Sequence, residues 1–288
     1  MAAQNWVSAE WLKDRLHWPN LVIVDCRFQL GQPAKGSADY QLEHIPGAIY
    51  LDLEKDLSGP VGQHGGRHPL PPLDDFVQTL SRKGIDASKH VVIYDDQGGL
   101  MAARLWWMLK YAGHEQAQIL AEGFTHWKEQ GYPLTSDVPA LADASFEPNV
   151  REDMLVTMEE VKQKLNDPNV LLIDSRSEAR YMGEHEDIDP VGGHIPGAVN
   201  ENWQKRLRED GRWKSKEEQI EDLRSFIRQK DKEMIVYCGS GVSACANIIA
   251  FDEAGLRPRL YAGSWSDWIS YPDNPVSKGK DVKGKGRS

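Results

Sequence analysis

At 288 residues, with 40% apolar and 27% charged residues, the chain is long for one domain and comfortable for two of about 140, each able to bury its own core. A formal charge of -10 argues against nucleic acid as the main partner, because affinity for phosphate backbones needs a basic face. Apolar runs such as Val91 to Tyr94 are far too short to span a bilayer, so no membrane segment is expected.

The N-terminal Met1-Ala-Ala-Gln-Asn-Trp6 lacks the basic stretch and apolar core of a secretory signal and leads into a helix-like Ser8-Ala-Glu-Trp-Leu12; a cytoplasmic protein is the simplest reading. A strand-like Leu21-Val-Ile-Val-Asp25-Cys-Arg27 follows, then His44-Ile-Pro-Gly-Ala48, a second strand-like run His90-Val-Val-Ile-Tyr-Asp95, and Gly123-Phe-Thr-His-Trp127. Residues 137–149 contain two prolines and neither helical nor strand period, which suits an interdomain linker. The same order then returns. An amphipathic Met158 to Leu165 precedes Val170-Leu-Leu-Ile-Asp174-Ser-Arg176, His194-Ile-Pro-Gly-Ala198, Glu233-Met-Ile-Val-Tyr-Cys238 and Ser264-Trp-Ser-Asp-Trp268. Leu21 and Val170 are 149 residues apart, and His44 and His194 are 150 apart.

A duplicated alternation of short β-branched runs and amphipathic stretches predicts an α/β protein of two tandem domains, each a mainly parallel sheet flanked by helices. The expected divisions are a first domain over 1–136, the linker 137–149, a second domain over 150–276 and a basic flexible tail over 277–288. In that tail the Gly-rich run from Lys278 to Arg287 reads as solvated chain rather than a binding element.

The chemistry-bearing stretch is the strand Met234 to Tyr237, the loop Cys238-Gly-Ser-Gly-Val-Ser243 and a helical run closed by Gly255. Gly239 and Gly241 allow the backbone to curl so that successive N–H groups point inward as an anion-binding nest, and the helix N-terminus adds partial positive charge. A thiol placed there is shifted toward thiolate, the reactive form. An inert buried thiol at Cys238 would have no need of such a loop. Cys245, inside an apolar helical run, and Cys26, just after a strand, read as core residues. The three cysteines form no CxxC pair or metal-like cluster, and their odd number fits a reducing compartment. In the first half Asp95 stands where Cys238 stands, which suggests a scaffold domain that closes over the active loop and lends side chains to the cleft.

With these residues assembled, the chain resembles the tandem-domain rhodanese family of sulfurtransferases from Trp6 to Pro275. The two His-Ile-Pro-Gly-Ala motifs, Asp95 in place of cysteine, and the Cys-Gly-Ser-Gly-Val loop carry the likeness. That loop is similar to the one in 3-mercaptopyruvate sulfurtransferases, where threonine stands at the place of Ser243; thiosulfate-preferring members carry Arg and Lys where Gly239 and Ser240 stand. The resemblance implies a persulfide on Cys238 and a proton relay mapped onto Ser240, His68 and Glu54, with glutamate replacing the family's aspartate. It also implies substrate binding by Arg180 and Arg104 together with Gly239, Gly241, Val242 and Ser243. The family's second anchoring arginine has no counterpart, because the shorter loop here reads Glu184-His-Glu-Asp-Ile-Asp-Pro190. A small anionic sulfur donor, an acceptor such as thioredoxin, a small thiol or cyanide, and no metal or organic cofactor are further implications.

Several residues also have plainer readings. His44 and His194 are expected to fix the turns before Pro46 and Pro196, Trp106 and Trp107 to pack a helix, and Arg104 has the alternative of pairing with an acidic neighbour. Three other functions compete: a thiosulfate sulfurtransferase, a non-enzymatic persulfide carrier, and a phosphatase on the same architecture. The phosphatase needs an arginine six residues after the cysteine to clamp phosphate, and Ala244 occupies that position. The neutral Gly239-Ser240 pair and the proton that Ser240 could relay point to 3-mercaptopyruvate over thiosulfate.

Overall fold

The computed structural model describes residues 4–140 and 142–279; the readings made for Met1 to Ala3, and for the tail from residue 280 onward, lie outside the described residues. The first half contains β1 (Trp6–Val7), β2 (Leu21–Asp25), β3 (Ala48–Tyr50), β4 (His90–Tyr94) and β5 (Ala117–Leu120). The second contains β6 (Leu155–Val156), β7 (Val170–Asp174), β8 (Val199–Asn200), β9 (Glu233–Tyr237) and β10 (Arg259–Tyr261). Each half folds into one five-stranded parallel sheet, ordered β1-β5-β4-β2-β3 and β6-β10-β9-β7-β8, so the repeat read in the sequence is a repeat of topology. Central strands β4 and β9 are buried almost throughout, as expected of parallel strands covered on both faces, which explains their unbroken apolar runs.

Local signals place the helices. Ser8 caps Ala9–Lys13 by accepting from Trp11 N–H, and Thr157 with Glu160 forms a capping box on Met158–Gln163. That second helix ends short of the expected Leu165, just before Asn166 with a left-handed φ of 66°. Residues 137–149 carry no helix or strand among their described members. No helix among the described residues is long and apolar enough to cross a membrane.

Two helices are apolar on all sides, Leu100–Tyr111 and Ser243–Glu253, with nearly every side chain buried. A helix without a polar face must be covered all round. These two meet each other between the sheets, and one apolar core runs without a break from Val24, Ile93 and Trp107 in the first half to Val236, Ile249 and Phe251 in the second. Polar ties cross the same boundary. Asn5 donates its N–H to Glu253 Oε1 at 2.6 Å and its side-chain amide to Asp252 at 2.8 Å.

Each half also extends a segment over the other. Trp213 lies against Gly99 and packs tilted against Trp6, ring centroids 4.8 Å apart, while Leu207 lies against Gly98. In return, Gly65 N–H donates to Asp267 Oδ1 at 2.7 Å, Arg67 N–H to Ser266 Oγ at 3.1 Å, and His64 stacks on Tyr271 at 3.9 Å. Because the core is continuous and the arms are exchanged, thermal unfolding is expected to be a single transition with matching calorimetric and van't Hoff enthalpies. Two resolved transitions in differential scanning calorimetry would show that the halves fold independently.

Candidate active site

At the carboxyl ends of β2 and β7 the duplicated Asp-x-Arg sequences fold back on themselves. Asp25 accepts from Arg27 Nε and Nη2 and from the Tyr94 hydroxyl, and Arg27 reaches on to the Glu43 carbonyl at 2.7 Å. Asp174 and Arg176 repeat the pair, with Arg176 donating to the Gly193 carbonyl. The guanidiniums thereby lock the turns that carry His44 and His194. Each histidine brings Nδ1 within 2.8 Å of a tyrosine carbonyl and stacks on that tyrosine, His44 on Tyr40 and His194 on Tyr181. Trp106 and Trp107 lie in the shared core.

The loops after β4 and β9 show what this strand-loop-helix turn does electrostatically. In the first half Asp95 is fully buried, and its two carboxylate oxygens accept the backbone N–H groups of Gln97, Gly99, Met101 and Ala102 at 2.7–2.9 Å. Burial pushes this carboxyl above its ordinary range, and the amide hydrogen bonds pull against that shift. The loop is thus an anion nest already holding its own anion.

In the second half Cys238 occupies the Asp95 position, 1% exposed, and the N–H groups of Gly239, Ser240, Gly241 and Val242 have no hydrogen-bond partner among the described residues. The loop is held from behind: Cys238 N–H donates to Ser264 Oγ at 3.1 Å, while Trp265 N–H and Ser266 N–H donate to the carbonyls of Cys238 and Gly239. Ser264 takes a left-handed φ of 56°, a strained backbone for a serine, and no sequence signal singled it out. Gly241 has φ +74°, and any Cβ there would collide with the Ala262 carbonyl, so glycine is required. Val242 and the half-buried Ser243 open the following helix. Cys245 donates to the Gly241 carbonyl at 3.3 Å and burial pushes its thiol up to about 12; burial raises Cys26 well above the ordinary range as well. Both of those cysteines sit in the core as protonated thiols at neutral pH.

The first domain supplies the opposite wall. His68 Nδ1 lies 2.8 Å from Ser240 Oγ, across 172 residues of sequence, and both side chains are buried. Burial first, then the nearby guanidiniums of Arg104 and Arg67, lower the His68 pKa to about 4, leaving the imidazole neutral at pH 7. Glu54 does not join them: its residue is exposed, its N–H donates to Asp52, and its carboxylate meets neither Ser240 nor His68. Ser240 and His68 thus form a hydrogen-bonded pair without the carboxylate that was expected to join them.

Among the described residues Arg104 pairs with no acidic neighbour. Its fully buried guanidinium donates to the carbonyls of Gly241, Leu57 and His68 at 3.0–3.2 Å and more weakly to Pro69, tying the active loop of one domain to the wall of the other. Spent on four carbonyls, its Nη atoms act as a brace for the site, a different part from the substrate-binding one expected of it.

Arg180 does reach the loop, in company the sequence did not suggest. Its Nε is held by both oxygens of Glu186 at 2.9–3.0 Å and its Nη2 by Asp189 Oδ2 at 2.9 Å, while the other Asp189 oxygen takes Arg67 Nη1 from the first domain. Burial raises the Asp189 pKa while the two arginines oppose that shift. A Cβ built at Gly239 would stand 2.9 Å from Arg67 Nη2 and 3.5 Å from Arg180 Nη1, so the bare backbone of Gly239 makes room for two guanidiniums at the mouth. The loop itself carries no charged side chain, as expected, and at its mouth the two guanidiniums are matched by the carboxylates of Asp189 and Glu186.

Comparison with known proteins agrees with this architecture. The rhodanese-like domain family matches residues 8–130 and 157–271. A probable 3-mercaptopyruvate sulfurtransferase of Pseudomonas aeruginosa is 40% identical over 97% of this chain and 100% of its own length. The thiosulfate sulfurtransferase of Rattus norvegicus is 33% identical over 96% of each chain. Among solved structures, the 3-mercaptopyruvate sulfurtransferase of Leishmania major superposes with a TM-score of 0.79 at 32% identity, covering 91% of this chain and 73% of that one. With two matched domains, a cysteine over an open nest in one and an aspartate filling the nest of the other, the chain belongs to the tandem rhodanese-domain sulfurtransferases, as either a 3-mercaptopyruvate or a thiosulfate sulfurtransferase.

Proposed function

We propose that the enzyme takes sulfane sulfur from 3-mercaptopyruvate onto Cys238 and passes it to a thiol acceptor, thioredoxin or a small thiol, or to cyanide. The observation that carries this choice of donor is the 2.8 Å contact between Ser240 Oγ and a neutral His68. In the first step the Cys238 thiolate attacks the donor's thiol sulfur, an S–S bond forms and the C–S bond breaks, and the electron pair leaves as the enolate of pyruvate. The proton that the donor's thiol carried passes from the new persulfide through Ser240 and His68 to the enolate carbon, giving pyruvate and a Cys238 persulfide anion. The open N–H groups of the loop receive the outer sulfur, as the matching amides receive the Asp95 carboxylate. In the second step the acceptor thiol gives its proton to the persulfide anion, and the thiolate so formed attacks the outer sulfur, the S–S bond breaks, and the acceptor leaves as a new persulfide while the Cys238 thiolate is returned. Thiosulfate would release sulfite, which needs no proton on carbon, so the serine-histidine pair is idle for it.

Arg67 and Arg180 also bring guanidinium N–H groups to the mouth, which thiosulfate as well as a carboxylate could accept. A persulfide carrier fits less well, since a donor protein would need a more open loop than one whose cysteine is 1% exposed. The buried free cysteines Cys26 and Cys245 and the thiol chemistry suit a reducing, cytoplasmic setting.

Replacing Cys238 by serine should abolish transfer, and mass spectrometry of the donor-treated wild type should find about 32 Da added to the peptide bearing Cys238. A label on Cys26 or Cys245 would reassign the nucleophile. Ser240→Ala should lower kcat for 3-mercaptopyruvate by about a hundredfold and for thiosulfate by less than about threefold, the signature of a lost proton relay. Equal losses for both donors, or a wild type with the higher kcat/KM for thiosulfate, would overturn the choice of donor.

Stability should also report on His68. Its folded pKa of about 4 lies below the ordinary 6.5, so the unfolded chain binds this proton more readily, and stability is lost as pH falls from 6.5 toward 4. Urea midpoints measured across that window should fall less steeply in His68→Gln than in the wild type; parallel profiles would mean that the imidazole is solvated.

A further inference from the structure

We propose that Arg67 and Arg180, one from each domain, form a two-point clamp for the donor's carboxylate, and that Asp189 is the positioning residue that aims both. This deepens the function proposed above and rests on it. The shorter loop 184–190 lacks a second anchoring arginine, and the other domain supplies the missing arm.

The atoms support this in detail. Arg67 uses Nη1 on Asp189 Oδ1 and Arg180 uses Nη2 on Asp189 Oδ2, so one buried carboxylate holds the two forks side by side. Glu186 fixes the Nε edge of Arg180. Among the described residues Arg67 Nη2 and Arg180 Nη1 have no hydrogen-bond partner, and those two nitrogens border the space where Gly239, next to Cys238, has no side chain. Arg67 Nε is buried with no partner, whereas the two free Nη atoms are not buried and so stay open to a ligand in place of water. A planar carboxylate seated over Gly239 would accept one N–H from each fork, with its thiol sulfur toward Cys238.

The charge balance refines the substrate class. Two guanidiniums face the two carboxylates of Asp189 and Glu186, so the mouth offers directed N–H groups rather than surplus positive charge. That suits the single negative charge of an α-keto carboxylate better than a dianion. The backbone also fixes Arg67, whose N–H is bound to Ser266 Oγ of the second domain. The clamp therefore exists only when the two domains are docked.

The test is steady-state kinetics of full-length Arg67→Ala, Arg67→Lys and Arg180→Ala with 3-mercaptopyruvate, beside a half-reaction that needs no clamp. The alanine variants should raise KM by about tenfold to a hundredfold with kcat within about threefold, as expected for lost charge-assisted hydrogen bonds felt equally in ground and transition states, and the lysine should recover part of the loss. Each variant, loaded at high donor concentration and freed of donor, should pass its sulfur to uncharged 2-mercaptoethanol at the wild-type rate; a slowed transfer would mean a damaged loop and would count against the clamp. Asp189→Ala should raise KM in the wild type but shift it less than about twofold when both arginines are already alanine, because it then has nothing to aim. An Arg67→Ala enzyme with unchanged KM would overturn the clamp while leaving the donor assignment standing, whereas a wild type that does not turn over 3-mercaptopyruvate would overturn the donor assignment itself.

Discussion

A curl of backbone N–H groups at the end of a buried parallel strand has to be given a negative charge, and the rest of this enzyme is arranged around that demand. Donors turned inward from water are costly when empty. The first domain meets the cost permanently with the carboxylate of Asp95. The second leaves its nest open beside Cys238, and four loop N–H groups there have no partner among the described residues. Ser264, Gly241 and the helix Ser264–Trp268 hold the loop in this curled form from behind, and Arg104 braces it from the side.

The two domains are consequently unequal partners in one site. The open nest and Cys238 belong to the second, while the imidazole, the brace and one guanidinium at the mouth belong to the first. Side chains drawn from two domains can meet only if the domains are fixed against each other. The continuous core between the Leu100–Tyr111 and Ser243–Glu253 helices provides that rigidity, and the exchanged arms extend it to the rim.

The duplicated fold was legible because the strand runs and the His-Ile-Pro-Gly-Ala turns recur in the same order in both halves, and parallel central strands leave unbroken apolar runs. Cys238 stood out for its glycines, and the resemblance put Ser240 and His68 together where the structure brings them into contact. Other features left no such trace. Asp189 and Glu186 lie in an irregular acidic loop in which nothing periodic marks a buried carboxylate from a solvated one, and only the fold brings Arg67 against them. Arg104 looked like a ligand-binding cation because its partners are carbonyls, which every residue has and no sequence distinguishes. Glu54 matched by position alone, and its exposed side chain shows how little position says about reach.

The arm that lays Leu207 and Trp213 against Gly98 and Gly99 has an implication for the duplication itself. Each domain builds a nest, and the loop of the first is covered at Gly98 and Gly99 by the neighbour's aliphatic and aromatic side chains. A cysteine placed at position 95 would therefore meet Leu207 and Trp213 beside its loop, where Cys238 has Arg67 and Arg180. The asymmetry of the two nests thus lies in the packing around them as well as in the residue at the end of the strand.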